Sequence, residues 1–233
     1  MIVLSAIGYG SGPLFAKLIY PTGFDWIDLL VWRHVLAAAI LGTVVLAVPA
    51  GRRALRTLGR RRALRAIGLG LLFTANASTY FASLAWIDAS LAGLMTYAYP
   101  AIVAVLSIFF AQAPSGWRPW AALAIATLGV VLGVGGIPAG REPALVGLVL
   151  GVASPIIYSG YIILAARLGG ESKHGTGATT GGGESPLVAV PLSLLGTMLG
   201  VFVVRAALGR ELLPLPIPSE AIAPIIGIAT ISG

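Results

Sequence analysis

The chain is written in apolar blocks of about twenty residues, separated by short polar or glycine-rich breaks. A helix of that length crosses about 30 Å of hydrocarbon. Within lipid every backbone N–H and C=O must be bonded internally, so continuous apolar blocks of this size are restricted to helices. Only 10% of the 233 residues are charged and 58% are hydrophobic, with mean hydropathy +0.95, whereas soluble domains carry about 25% charged residues. So few charges cannot cover an aqueous surface. The expected fold is an all-α membrane protein, a polytopic helical bundle.

The blocks predict a first span over 2–20 and a second over 26–48, joined by the turn Pro21 to Asp25. A third covers 64–86 and a fourth 90–111, hinged at Ile87-Asp88-Ala89, with Asp88 or Ser90 as the cap of the fourth. Further spans are expected over 117–137, 144–167 and 186–204, and an eighth begins near Glu220. The fourteen residues from Glu220 to Gly233 reach about 21 Å, short of a crossing, so the sequence is expected to be cut off at its C-terminal end. Met1 is followed by apolar sequence with neither a basic leader nor a small-residue cleavage site, and a cleaved signal peptide is not expected.

Seven arginines crowd into "GRRALRTLGRRRALR", residues 51–65. With a net charge of +7 and a pI near 10.3, such a cluster invites a nucleic-acid reading. Its position between two spans gives a better one. If this loop is cytoplasmic, Arg118, Arg167 and Lys173 fall on the same side, making ten basic residues inside against Arg141, Arg205 and Arg210 outside. Lys/Arg bias in short loops sets topology, so the expectation is an integral protein of a bacterial plasma (inner) membrane. Its N-terminus is cytoplasmic, its arginines face an anionic inner leaflet, and no nucleic acid is involved. The stretch "GGESKHGTGATTGGGES", 169–185, has the composition of a flexible cytoplasmic linker. It lacks the spacing of a phosphate-binding loop, because His174 follows Lys173.

"FAKL" at 15–18 is echoed by "AARL" at 165–168, each preceded by a small or aromatic cluster: Gly8-Tyr9-Gly10-Ser11 and Tyr158-Ser159-Gly160-Tyr161. A five-span unit followed by its own copy places the copy upside down. Inverted repeats of that kind belong to transporters that alternate access around a midplane site. The run "YFASLAWIDASLAGLMTYAYPAIVAVLSIFF" (80–110), with Arg33 early in the second span and "GYGSGPLFAKL" in the first, resembles the EamA family of the drug/metabolite transporter superfamily. The resemblance covers the first repeat and about half of the second. It implies ten helices as two inverted five-helix repeats, here 1–137 and an incomplete 138–233. It also implies a secondary transporter that exports small metabolites such as amino acids. Where that family usually closes its fourth helix with Gly-Glu, this chain reads Ala111-Gln112-Ala113.

Polar groups in hydrocarbon need partners or a wet cavity. Asn76, Thr79, Tyr80 and Ser83 recur at helical spacing as one stripe, suited both to bonding between helices and to lining a cavity. Arg33 has two open readings: pairing with Asp25 or Asp28, or snorkelling, on one side, and attraction of an anionic substrate group on the other. Lys17 is read as snorkelling or as a substrate contact, and His34 as a helix-facing polar contact. Pro13, Pro100, Pro155, Pro191 and Pro224 lie in or near spans, with Pro224 read as a first-turn residue. Pro100, preceded by Tyr97 and Tyr99, is the strongest candidate for a functional kink. Tyr9, Ser11, Tyr158 and Tyr161 complete the expected substrate-binding set of Tyr9, Ser11, Arg33, Asn76, Thr79, Tyr80, Tyr97, Pro100, Tyr158 and Tyr161. The pairs Gly8/Gly12, Gly129/Gly133, Gly147/Gly151 and Gly196/Gly200 permit close helix contact.

The residues argue against an enzyme. An intramembrane serine protease needs G-x-S-G, and Gly10-Ser11-Gly12 lacks the first glycine; a retinal-type receptor needs a lysine that the last spans do not contain. No cysteine is present, which excludes disulfides and thiolate metal sites, and neither a metal nor a cofactor is expected. The alternative to transport is an inactive or regulatory membrane fragment of such a transporter.

Overall fold

A computed structural model describes residues 2–109, 116–135, 144–168 and 186–231. These form helices α1 (Ile2–Ile19), α2 (Trp26–Ala47), α3 (Pro49–Thr57), α4 (Arg60–Ser83), α5 (Ala89–Thr96), α6 (Tyr99–Phe109), α7 (Trp117–Gly135), α8 (Leu145–Leu168), α9 (Pro186–Ala207) and α10 (Ser219–Ile231), with a 3₁₀ turn at Tyr20–Thr22. Four stretches among the described residues are long and apolar enough to cross a membrane, α5 and α6 together making one of them. The linker at 169–185, Arg141, Lys173 and the Ala111-Gln112-Ala113 departure lie outside the described residues.

The turn between α1 and α2 is built locally. Gly23 closes the 3₁₀ turn at φ 92°, a conformation that costs glycine little. Asp25 then caps α2. One of its carboxylate oxygens accepts the N–H groups of Ile27 and Asp28, each at 3.1 Å, while Asp28 accepts the Asp25 N–H at 3.1 Å. This reciprocal box satisfies donors that a helix start leaves open.

The arginine stretch is helical, where the sequence suggested a connecting loop. Val48 is extended ahead of Pro49, as a residue before proline prefers. Pro49 opens α3, and a Cβ on Gly51 would lie 2.4 Å from the Val45 carbonyl oxygen. Arg52 donates to the Leu46 carbonyl at 2.9 Å, closing an orphan acceptor at the end of α2. Helix α4 therefore starts at Arg60, four residues before the apolar block. It ends at Ser83, and a turn carries the chain to α5. Asp88 occupies the cap position of α5, but its side chain makes no capping bond.

Helix α4 is the hub, packed against α9 and α8, while α2 packs on α9 and α10, and α1 on α10 and α5. Along α4 and α9 the backbones nearly touch. A Cβ at Gly70 would sit 1.9 Å from the Ser193 carbonyl oxygen, and one at Gly196 would sit 2.1 Å from that of Ile67. Thr74 donates to the Thr197 carbonyl at 3.2 Å, and Thr197 donates to the Gly70 carbonyl at 3.1 Å. Lipid tails are as apolar as leucine, so helices associate through such close packing and polar bonds. Gly147 and Gly151 similarly press α8 onto Ile87, Trp86 and Met95, whereas Gly129 faces open space.

At the opposite end from the α3 arginines, two ion pairs tie α9 and the segment after it to the start of α2. Arg205, only 3% exposed, pairs with Asp28, and Arg210 pairs with Asp25. Arg205 also donates through Nε to the Glu211 carbonyl at 2.6 Å, and Trp32 donates to the Pro214 carbonyl at 3.2 Å.

Candidate functional site

The span predicted over 90–111 is interrupted at Tyr97 and Ala98, between α5 and α6. Of the prolines in apolar segments, Pro13, Pro155, Pro191 and Pro224 sit inside continuous helices, so Pro224 is not the first-turn residue the sequence suggested. Only at Pro100 does the helix stop, as expected there. Pro100 has no N–H for the Thr96 carbonyl. Ala101 donates to Ala98 at 3.1 Å instead of to Tyr97.

Beside this break opens a cleft of about 600 Å³. Its walls come from α1 (Gly10, Pro13, Leu14), α4 (Tyr80), the hinge and α5 (Ala89, Ser90, Gly93, Leu94, Thr96), the break (Tyr97, Tyr99) and α8 (Tyr158). Four of the seven tyrosines of the chain therefore meet in one place. Tyr99 stands edge-on to Tyr158 with centroids 5.0 Å apart, and Tyr158 stacks on Tyr161 at 6.0 Å and 12°. Phe73 closes the group edge-on to Tyr161 at 5.4 Å. Ser159 on α8 donates to the Tyr99 carbonyl at 3.2 Å and to Pro155 at 2.6 Å, which fixes α8 against the break.

The structure brings together Tyr80, Tyr97 and Tyr158 of the expected set, with Tyr161 stacked behind Tyr158 and Pro100 causing the break. Asn76 is buried and accepts from Ser154 Oγ at 2.9 Å, so it joins α4 to α8. Thr79 donates to the Ala75 and Asn76 carbonyls of its own helix, and Ser83 to that of Tyr80. The polar stripe thus divides: one member faces the cleft, one links helices and two bond locally. Ser11 is half-buried on α1 and is not among the described lining residues. The Tyr9 side chain lies outside the described residues.

Asp28 and Asp25 pair with Arg205 and Arg210. The Arg33 guanidinium lies 5.2 Å from the Phe81 ring centre, a cation–π arrangement, and the Phe81 ring meets Tyr80 edge-on at 5.3 Å. Lys17 does not run out to headgroups: it donates to the Ile87 carbonyl at 2.8 Å, fastening α1 to the hinge before α5. Tyr20 adds a second tie, to the Phe81 carbonyl at 2.6 Å. His34 is buried, with Nδ1 2.7 Å from the Leu30 carbonyl. Because a carbonyl only accepts, that nitrogen carries the proton, which agrees with a helix-facing contact. At the ion-paired end, burial works to raise the Asp25 pKa, yet the Asp28 backbone N–H and the Arg210 guanidinium outweigh it and hold the carboxyl below its usual range.

Tyr99, Thr96, Ser90 and the α1 wall residues were not singled out in the sequence as site residues. Tyr99 could have been, since it immediately precedes the helix-breaking proline.

A bundle of apolar helices, with four stretches long enough to cross a membrane among the described residues, defines a polytopic all-α membrane protein. More particularly, the chain belongs to the EamA-like transporter family, whose model matches residues 1–134. It is an integral membrane transporter of the drug/metabolite class, a class that handles small molecules. No curated protein matches it significantly.

Proposed function

We propose that the protein is a secondary transporter that exports small metabolites, amino acids among the solutes to try first, and that the tyrosine cleft at the α5–α6 break is its substrate site. The break carries this reading. Discontinuous helices expose backbone groups at membrane depth only where they line a cavity, and transporters place their sites there. Transport requires no reacting residue, only a site that opens to either side in turn.

Alternating access between two inverted repeats draws support from how the helices pair. If α1, α2 and α4 correspond in order to α8, α9 and α10, an inverting two-fold exchanges the α1–α10 contact with α4–α8 and α4–α9 with α2–α10. It leaves α2–α9 on the axis. All five pairs are in contact. The family match ending at residue 134 agrees with a first unit over 1–137 and a second over 138–233. We place the arginine-rich end in the cytoplasm, against the anionic leaflet of a bacterial inner membrane, on the Lys/Arg bias of its loops. The N-terminus is then cytoplasmic, and the ion-paired end lies on the outer side.

The test is efflux of radiolabelled amino acids from inverted and right-side-out vesicles that carry the correctly inserted protein. Solute-dependent flux that Pro100→Ala and Tyr158→Ala reduce supports the proposal. Absence of flux across a broad solute panel defeats it.

A further inference from the structure

We infer that the cleft selects a net-neutral, planar solute that carries an N–H or O–H donor, rather than an organic anion or cation. The inference rests on reading the cleft as the substrate site, and three observations carry it.

First, no Asp, Glu, Lys, Arg or His appears among the described lining residues. Of the charged groups on the neighbouring segments, Lys17 donates to the Ile87 carbonyl, Arg33 lies over Phe81, and the exposed Asp88 precedes the lining residues without being one of them. An ion in a low-dielectric cleft without a counter-charge loses its hydration uncompensated. The walls therefore discriminate against net charge of either sign.

Second, the walls are aromatic and already ordered. Tyr158 is held between Tyr99, edge-on at 5.0 Å, and Tyr161, stacked at 6.0 Å, so the aromatic surface beside the cleft is fixed before a solute arrives. Tyr97, 65% exposed, supplies a further ring at the mouth. Flat rings extend such offset and edge-on arrangements at little ordering cost.

Third, the cleft offers acceptors. Pro100 offers no N–H to the Thr96 carbonyl, Ala101 donates to the Ala98 carbonyl rather than to that of Tyr97, and both Thr96 and Tyr97 line the cleft. A carbonyl at membrane depth calls for a donor, and a solute N–H or O–H provides one.

The experiment uses the full chain in phosphatidylcholine nanodiscs. Equilibrium binding is measured for four probes that share one ring: indole, N-methylindole, tryptamine and indole-3-acetate. Indole is expected to bind on the order of tenfold more tightly than tryptamine or indole-3-acetate, because neither charge finds a partner. It is expected to exceed N-methylindole by about threefold, the worth of one net hydrogen bond. This order is opposite to simple partition into lipid, where the methylated ring is favoured. Tyr97→Ala, a change at an exposed position, lowers indole affinity by about fivefold, and Tyr97→Phe restores it. Pro100→Ala returns an N–H to the Thr96 carbonyl, so the preference for indole over N-methylindole falls toward one while thermal stability is kept.

Binding of the cation or the anion as tight as that of indole overturns the inference, as does indole binding indifferent to Tyr97→Ala. The transport reading fails separately. Vesicles that bind indole but move no solute refute transport and leave the selectivity standing, whereas flux of charged solutes with no indole binding does the reverse.

Discussion

The α4–α9 seam and the α5–α6 cleft are two solutions to the same problem, how helices meet where there is no water to drive them together. In the seam, glycines at 70 and 196 let the backbones approach until a single Cβ would overlap a carbonyl, and two threonines bond across the contact. In the cleft wall, Gly93 faces open space and one helix is broken where its neighbours stand off. Close contact gives way there to the cleft. Rigidity in this bundle is therefore local: the ion-paired, glycine-packed half is a scaffold, and the broken half is where a site can form.

Several substitutions test that division, taken from the largest expected effect to the smallest. Asp28→Asn strands the Arg205 guanidinium in a buried site, and such losses cost about 3–5 kcal/mol. Thermal unfolding in detergent should show the drop, with the pair Asp28→Leu/Arg205→Met recovering most of it. If the single variant unfolds like the parent, the scaffold half is not held by that pair. Next, Gly70→Ala and Gly196→Ala force the seam apart at a cost of about 1–3 kcal/mol. Gly93→Ala in the cleft wall should instead leave stability level or raise it by up to about 1 kcal/mol through helix propensity. The same sign at all three glycines would erase the distinction between the two regions.

Thr74→Val and Thr197→Val each remove a cross-helix bond worth about 0.6 kcal/mol. Because both hydroxyls reach the Gly70 carbonyl, the double variant should lose less than the sum of the singles. The smallest effect is in pH. Asp25 has its pKa lowered in the folded protein, so its contribution is complete above the unfolded carboxyl value, about pH 4. It fades as pH falls through the lower folded value. Melting temperature measured from pH 5 downward should decline less steeply in Arg210→Gln, which removes one cause of the depression.

Much of this was legible in the chain. The spans followed from block length, because each helix closes its own backbone bonds. The broken span followed from Pro100, because a missing N–H is a property of one residue. The spacings at Gly147/Gly151 and Gly196/Gly200 marked real close contacts. Gly70/Thr74 has the same four-residue spacing and could have been read the same way. The ion pairs were not legible: Arg33 is the nearest cation to Asp28 in sequence, but the Arg205 that pairs with it lies 177 residues away, on α9. The arginine stretch has a loop's composition yet is helical, because Pro49 and Gly51 set its geometry locally.

The amino-acid sequence by itself decided the solvent, the spans and the place where one span breaks, since hydrocarbon obliges each segment to satisfy its backbone alone. The tertiary structure decided which face of α4 meets α9, which arginine neutralises which aspartate, and which four tyrosines share a cleft. Those choices depend on complementary surfaces and charges contributed by residues far apart in the chain, and no local pattern carries them.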